Sequence, residues 1–201
     1  MELKIEQPPG AKLRYFENVI NDKEGIMFEK LESSIVYYPD EESMIMIFNK
    51  RVQIPRKQVA YGDEGLSYTF SGNTIQPKSW SECPFILIIK RVVECILKTT
   101  FNFVLINRYD NGESYIGYHS DDEKSLENNS IIASFSVGQS RDFYLKSNET
   151  KNVYKYVVKH NSLITMEGNC QKNYKHSIPK RSIHSVSGPR INFTFRQMVI
   201  S

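Results

Sequence analysis

From residue 84 to residue 98 apolar side chains return at helical spacing, with Phe85, Ile88, Ile89, Val92, Cys95 and Ile96 on one side and Lys90, Arg91, Glu94 and Lys98 largely on the other. An amphipathic helix is predicted there. Beyond it the period shortens to two, the signature of strands whose side chains alternate between faces. Strands are predicted over 101–109, 115–119, 131–137, 141–145, 153–159, 162–166 and 190–199, with Asp110-Asn111-Gly112, Ser147-Asn148 and His160-Asn161 as the turns between them. Many short strands behind a helix predict a mainly β fold class with flanking helices: an antiparallel sandwich or barrel, one face covered by helix.

The 201 residues fit one domain, taken as residues 13–201, and residues 1–12 are expected to be a flexible N-terminal segment. At 40% hydrophobic and 12% aromatic the chain can build a core, which excludes a disordered or collagen-like protein. The longest apolar run, 85–89, is far short of the roughly 20 residues a bilayer demands, so no membrane partner is expected. Met1-Glu2-Leu3-Lys4 opens no hydrophobic leader, and Cys83, Cys95 and Cys170 are odd in number without Cys-x-x-Cys spacing. These features predict an unexported protein in a reducing interior, nuclear in a eukaryotic host and cytoplasmic otherwise, and a monomer is expected.

Net charge is only +3, but residues 150–201 carry nine Lys or Arg against the single acid Glu167. A second basic cluster, Lys50, Arg51, Arg56 and Lys57, lies upstream. Such patches favour polyanions through counterion release, although a solvated basic face without a partner reads the same way in sequence.

His119 and Asp121 are two apart, a spacing that puts both side chains on one face of an extended segment. A third ligand must come from His160, His176 or His184, and His176 lies in Tyr174-Lys175-His176-Ser177-Ile178-Pro179, ahead of the final strand. Two imidazoles and one carboxylate with open positions form the facial triad of non-haem Fe(II) oxygenases, whereas a lone His-x-Asp is also an ordinary surface pair. In that final strand, strict alternation places Arg190, Asn192, Thr194 and Arg196 on one face and Ile191, Phe193 and Phe195 on the other. If the apolar face packs under the helices, two guanidinium groups enter the barrel, and burying them without anions costs several kcal/mol. A dianionic cosubstrate would answer that cost; an edge strand with its polar face in water is the alternative. Asn107 and Tyr109, two apart at the end of another strand, could donate to the same carboxylates.

Asn107-Arg108-Tyr109, His119-Ser120-Asp121-Asp122-Glu123, Ile131-Ile132-Ala133-Ser134-Phe135-Ser136-Val137-Gly138, Arg141-Asp142-Phe143, His176 and the 190–196 strand together resemble the AlkB family of Fe(II)- and 2-oxoglutarate-dependent dioxygenases. Pro55-Arg56-Lys57-Gln58, Tyr61-Gly62-Asp63 and Leu66-Ser67-Tyr68-Thr69-Phe70-Ser71-Gly72 look most like its eukaryotic, duplex-DNA-acting alkylation repair branch. The resemblance implies a double-stranded β-helix (jelly roll) with iron on His119, Asp121 and His176, and with 2-oxoglutarate contacts from Asn107, Tyr109, Arg190, Asn192, Thr194 and Arg196. His184 is the rival third ligand, but it leaves only six residues in which to turn back to Arg190.

The implied activity is oxidative demethylation of 1-methyladenine and 3-methylcytosine in DNA by base flipping, using Fe(II), 2-oxoglutarate and O2, aided by ascorbate, and releasing formaldehyde, succinate and CO2. Tyr68, Phe70, Asp122 and Glu123 would surround the flipped base, Arg56 would lie on the nucleic acid, and Phe48 would wedge into the stack of a duplex. Asn49 stands where the family pattern has Gly after that Phe, so single strands stay open as substrates beside the favoured duplex. An RNA demethylase or protein hydroxylase on the same scaffold, or a non-catalytic nucleic-acid-binding jelly roll, are the competing readings.

Overall fold

Strict alternation in the strand Arg190–Arg196 sorts the whole molecule, because all seven residues are buried and the two faces meet different surroundings. Ile191, Phe193 and Phe195 join Val104, Ile106, Ala133, Phe135 and Val137 in one apolar cluster, closed by Ile86, Ile89, Val93 and Leu97 of the helix Pro84–Leu97. The opposite face of the same strands looks into the interior of a jelly roll. This computed structural model describes residues 1–25, 27–47, 50–70, 73–123, 125–127 and 130–199.

The major sheet has eight strands. Arg190–Arg196 lies near its middle between Ile132–Gly138 and Phe103–Tyr109; Ser162–Glu167, Lys12–Glu17 and Glu2–Leu3 extend one side, Lys57–Gly62 and Lys78–Ser79 the other. A four-stranded sheet, in the order Ile116–His119, Tyr174–Ile178, Arg141–Ser147 and Val153–Val158, faces it. Phe143, Leu145, Val158 and Ile178 of the smaller sheet pack against Tyr109, Ile132, Ile164 and Met166 of the larger in a second core cluster. The edge-strand alternative for Arg190–Arg196 is thereby excluded: it has a ladder on both sides.

The helix forms where expected, opening with Pro84 at its first turn behind a Ser79–Glu82 capping box and ending at Lys98 in the left-handed conformation. Its buried face differs from the one predicted. Ile86, Ile89, Val93 and Leu97 are inside, while Phe85 and Ile88 are 40% and 53% exposed and Cys95 is exposed. The helix starts with five consecutive apolar residues, so periodicity alone leaves its orientation open, and packing on Val104, Ile106, Phe193 and Phe195 decides it.

Residues 1–12 make contacts with the body of the fold. Glu2–Leu3 pairs with Lys12–Glu17, Leu3, Ile5 and Ala11 pack on the second core cluster, and Tyr156 and Tyr174 donate to the carbonyls of Glu6 and Pro9. The short apolar residues of this arm cap the open end of the sheet, a role that local composition does not reveal. Among the described residues no helix is long and apolar enough to cross a membrane.

Candidate metal centre and substrate cavity

The inner face of the major sheet is polar row by row. Arg190 pairs across the ladder with Tyr109, Asn192 with Asn107 and Ser136, and Thr194 with Leu105 and Ser134. Residues directly opposite on adjacent strands share a face, so alternation in three strands builds one polar floor. Above it lies a cavity of about 650 Å³. Its lining includes thirteen residues singled out from sequence: Arg56, Tyr68, Asn107, Tyr109, His119, Asp121, Asp122, Glu123, His176, Arg190, Asn192, Thr194 and Arg196. Phe48 and the side chain of Phe70 lie outside the described residues.

At one end the strands Ile116–His119 and Tyr174–Ile178 pair antiparallel with His119 opposite His176. Asp121 follows two residues on, and one ligand atom from each of the three lies within 4.8 Å of the others. His184, the rival third ligand, is exposed, and His160 instead accepts a hydrogen bond from the Gly138 N–H. His119 Nδ1 sits 2.9 Å from the Gly117 carbonyl, which only accepts; the proton is therefore on Nδ1, and the Nε2 lone pair faces Asp121 at 3.8 Å. His176 Nε2 is 3.9 Å from Asp121 Oδ2.

Burial by itself would raise the Asp121 carboxyl, but Arg196 and the two imidazoles outweigh it and hold the group at about 2. Burial, helped by the neighbouring His119 and Arg196 and opposed by Asp121, pulls His176 down to about 3. The centre thus presents an ionised carboxylate and a neutral imidazole at neutral pH. Asp121 Oδ2 is buried and has no hydrogen-bond partner among the described residues. A divalent cation fits this donor set: three hard or borderline ligands on one side, and the open cavity on the other.

At the other end, burial lowers Arg190 to about 10, still a cation at neutral pH. Its Nη2 donates to Ser136 Oγ at 2.9 Å, its Cζ lies 5.1 Å from the Tyr109 ring centre, and its Nε and Nη1 find no protein partner among the described residues. A buried guanidinium with one neutral acceptor is matched by a carboxylate, which both free N–H groups can engage together. Asn192 is locked by Ser134 Oγ and the Phe135 carbonyl, and Thr194 donates to Asn192 Oδ1. Arg56, half-buried, reaches across to Asn107 Oδ1 at 2.8 Å and roofs this end.

Near the mouth, Tyr68 donates to Glu123 Oε1 at 2.5 Å, packs on Phe103 and lies under the Arg196 guanidinium; burial pushes its phenol far up. Asp122 is exposed beside it. Of the nine cations in residues 150–201, Arg190 and Arg196 are inside, whereas Lys151, Lys155, Lys159, Lys172, Lys175 and Lys180 are exposed. The basic block therefore serves two places at once. Sequence reasoning missed Ser134 and Ser136, which alternate with Phe135 and so could have been read as floor residues, and Gln171, for which no local pattern gives a signal.

A triad of two histidines and one carboxylate at the mouth of a jelly roll with a buried arginine at its far end defines the Fe(II), 2-oxoglutarate oxygenase class. A profile of the 2OG-Fe(II) oxygenase superfamily matches residues 12–196, and the chain belongs to that superfamily. Within it the chain is of the AlkB family: it is 38% identical to the DNA oxidative demethylase ALKBH2 of Bos taurus over 181 residues and to that of Homo sapiens over 183. These matches cover 86% and 87% of this chain and 64% and 69% of those proteins, so the chain spans about two thirds of their length. A solved structure, that of OsALKBH1, covers 98% of this chain and is itself covered completely, with a TM-score of 0.66 at 14% identity, a likeness of fold.

Proposed function

We infer that this protein is a dioxygenase that removes N-linked methyl groups from DNA bases, with 1-methyladenine and 3-methylcytosine as its lesions. The observation that carries the reading is the convergence of the His119, Asp121, His176 triad and the part-satisfied Arg190 on one cavity. The relatives that bear the name DNA oxidative demethylase support DNA over RNA or a protein side chain.

In this reading His119, Asp121 and His176 hold Fe(II), and Arg190 with Tyr109 and Asn107 binds the distal carboxylate of 2-oxoglutarate, Asn192 and Thr194 shaping the floor between. Fe(II) and 2-oxoglutarate held there would supply, with O2, the oxidising chemistry that converts an N-methyl group to a hydroxymethyl group, with succinate and CO2 as co-products and formaldehyde and the unmethylated base as final products. The chain's own part is positional and electrostatic. Arg196 keeps the Asp121 carboxylate ionised and spends one of its oxygens, while the Gly117 carbonyl fixes the His119 tautomer. Asp122 and the Tyr68–Glu123 pair bring carboxylate charge to the cavity mouth, which suits a ring made cationic by methylation.

The hairpin of Met44–Ile47 and Lys50–Gln53 supports engagement of a duplex, because Ile45 and Val52 line the cavity while Lys50 and Arg51 are exposed. Phe48, between the two strands in sequence, is the proposed wedge.

The test is mass spectrometry of an oligonucleotide carrying one 1-methyladenine, as duplex and as single strand, after incubation with Fe(II), ascorbate and 2-oxoglutarate. Loss of one methylene mass that needs 2-oxoglutarate and vanishes in His119→Ala is expected, faster on the duplex, with Phe48→Ala slowing the duplex more than the single strand. Succinate release with no change in either DNA would move the substrate to RNA or protein, and no succinate would leave only a binding role.

A further inference from the structure

We propose that Gln171 is a positioning residue for the metal centre, acting through the backbone of Asp121. This rests on the triad as the iron site.

The strand that carries His119 ends at that residue, so Asp121 sits in a segment with no ladder partner for its backbone. Two side-chain bonds to one neighbouring turn hold the segment instead. Ser120 Oγ donates to the Tyr174 carbonyl at 3.1 Å, and the Asp121 N–H donates to Gln171 Oε1 at 2.9 Å. The other end of the Gln171 amide is fixed in turn, with Nε2 3.3 Å from Met166 Sδ. Gln171 lies on the short helix Cys170–Asn173, which leads directly into the strand bearing His176.

A single amide therefore ties the carboxylate ligand to the turn that delivers the second imidazole. Arg196 sets where the Asp121 carboxylate points, and Gln171 sets where its Cα stands. Bonds of this outer kind govern the geometry that ligands present, and losing one typically weakens metal affinity roughly ten- to a hundredfold.

Cobalt(II) binding to the metal-free full chain, followed by the visible absorption of the bound ion, tests this without turnover. Gln171→Met keeps the shape and removes the acceptor; Gln171→Glu keeps an acceptor at the same reach. Expected are affinity roughly ten- to a hundredfold weaker in Q171M, recovery of most of it in Q171E, and a melting temperature of the metal-free protein little changed in either. Q171M binding cobalt as tightly as the parent would overturn the proposal. So would Q171E no better than Q171M, or a metal-free melting temperature that falls in both variants alike, which marks a packing defect. His119→Ala serves as the control: if it binds cobalt unchanged, the triad reading itself fails, whereas a loss there beside an unaffected Q171M refutes only the role of Gln171.

Discussion

Arg196 Nη2 donates to Asp121 Oδ1 over 2.7 Å, with both side chains almost sealed from solvent at 3% and 2% exposure. One carboxylate oxygen is thereby committed to a fixed cation, while Oδ2, 3.9 Å from His176 Nε2, accepts no hydrogen bond among the described residues. Removing one member of a buried pair strands the other charge, at a cost of about 3–5 kcal/mol. Arg196→Met is therefore expected to lose about that much stability in urea unfolding of the metal-free protein. A loss below about 1 kcal/mol would mean that water reaches Asp121.

Arg190 reads out differently, because it lines the cavity and its Nε and Nη1 find no acceptor among the described residues. Charged hydrogen bonds contribute about 1.5–3 kcal/mol, so Arg190→Met should raise KM for 2-oxoglutarate roughly ten- to a hundredfold, measured by succinate release. Unchanged KM would take Arg190 out of cosubstrate binding.

Acid should destabilise the metal-free protein in a defined window. His176 takes up its proton near 6.5 when unfolded but only at about 3 in the fold, so between these values the unfolded chain binds more protons and stability falls as pH drops. Asp121, held at about 2 against 3.8, adds a loss in the same direction at the lower end of the range. The urea midpoint is expected to decline from pH 6.5 downward, and His176→Gln should flatten the part above pH 4. An equally steep decline in that variant would place the titrating group elsewhere.

Gly112 joins the loop before His119 to the loop after His176. It donates to the Val186 carbonyl and accepts from the Arg181 N–H, and a Cβ there would stand 2.7 Å from the Ser182 oxygen and 2.8 Å from that of Arg181. Both are backbone atoms that cannot swing aside. Gly112→Ala should cost about 1–3 kcal/mol in thermal unfolding, whereas Gly117→Ala, with nothing within 4 Å, should stay near parental stability.

Much of this was legible in the sequence. The alternation in Arg190–Arg196 and Phe103–Tyr109 fixes which side chains face inward, and the His119–Asp121 spacing needs only an extended backbone to bring both to one side. The helix face is not legible, because an all-apolar first turn and a half leaves no polar side to orient it. Nor is the strand Tyr174–Ile178: it is five residues long, and its Lys175 and His176 blur the pattern. Gln171 and the docking of residues 1–12 depend on contacts between segments far apart in the chain, which no local period records.

A strand whose one face is Phe193 and Phe195 and whose other is Arg190 and Arg196 has no tolerable misalignment. Shifted by a single residue against its neighbours, it would press guanidinium groups under the helix and phenyl rings into the cavity, and every row would fail together. The site is therefore not an addition to a finished scaffold. The same charges that serve the cavity also specify the register of the sheet, which an all-apolar strand would leave open.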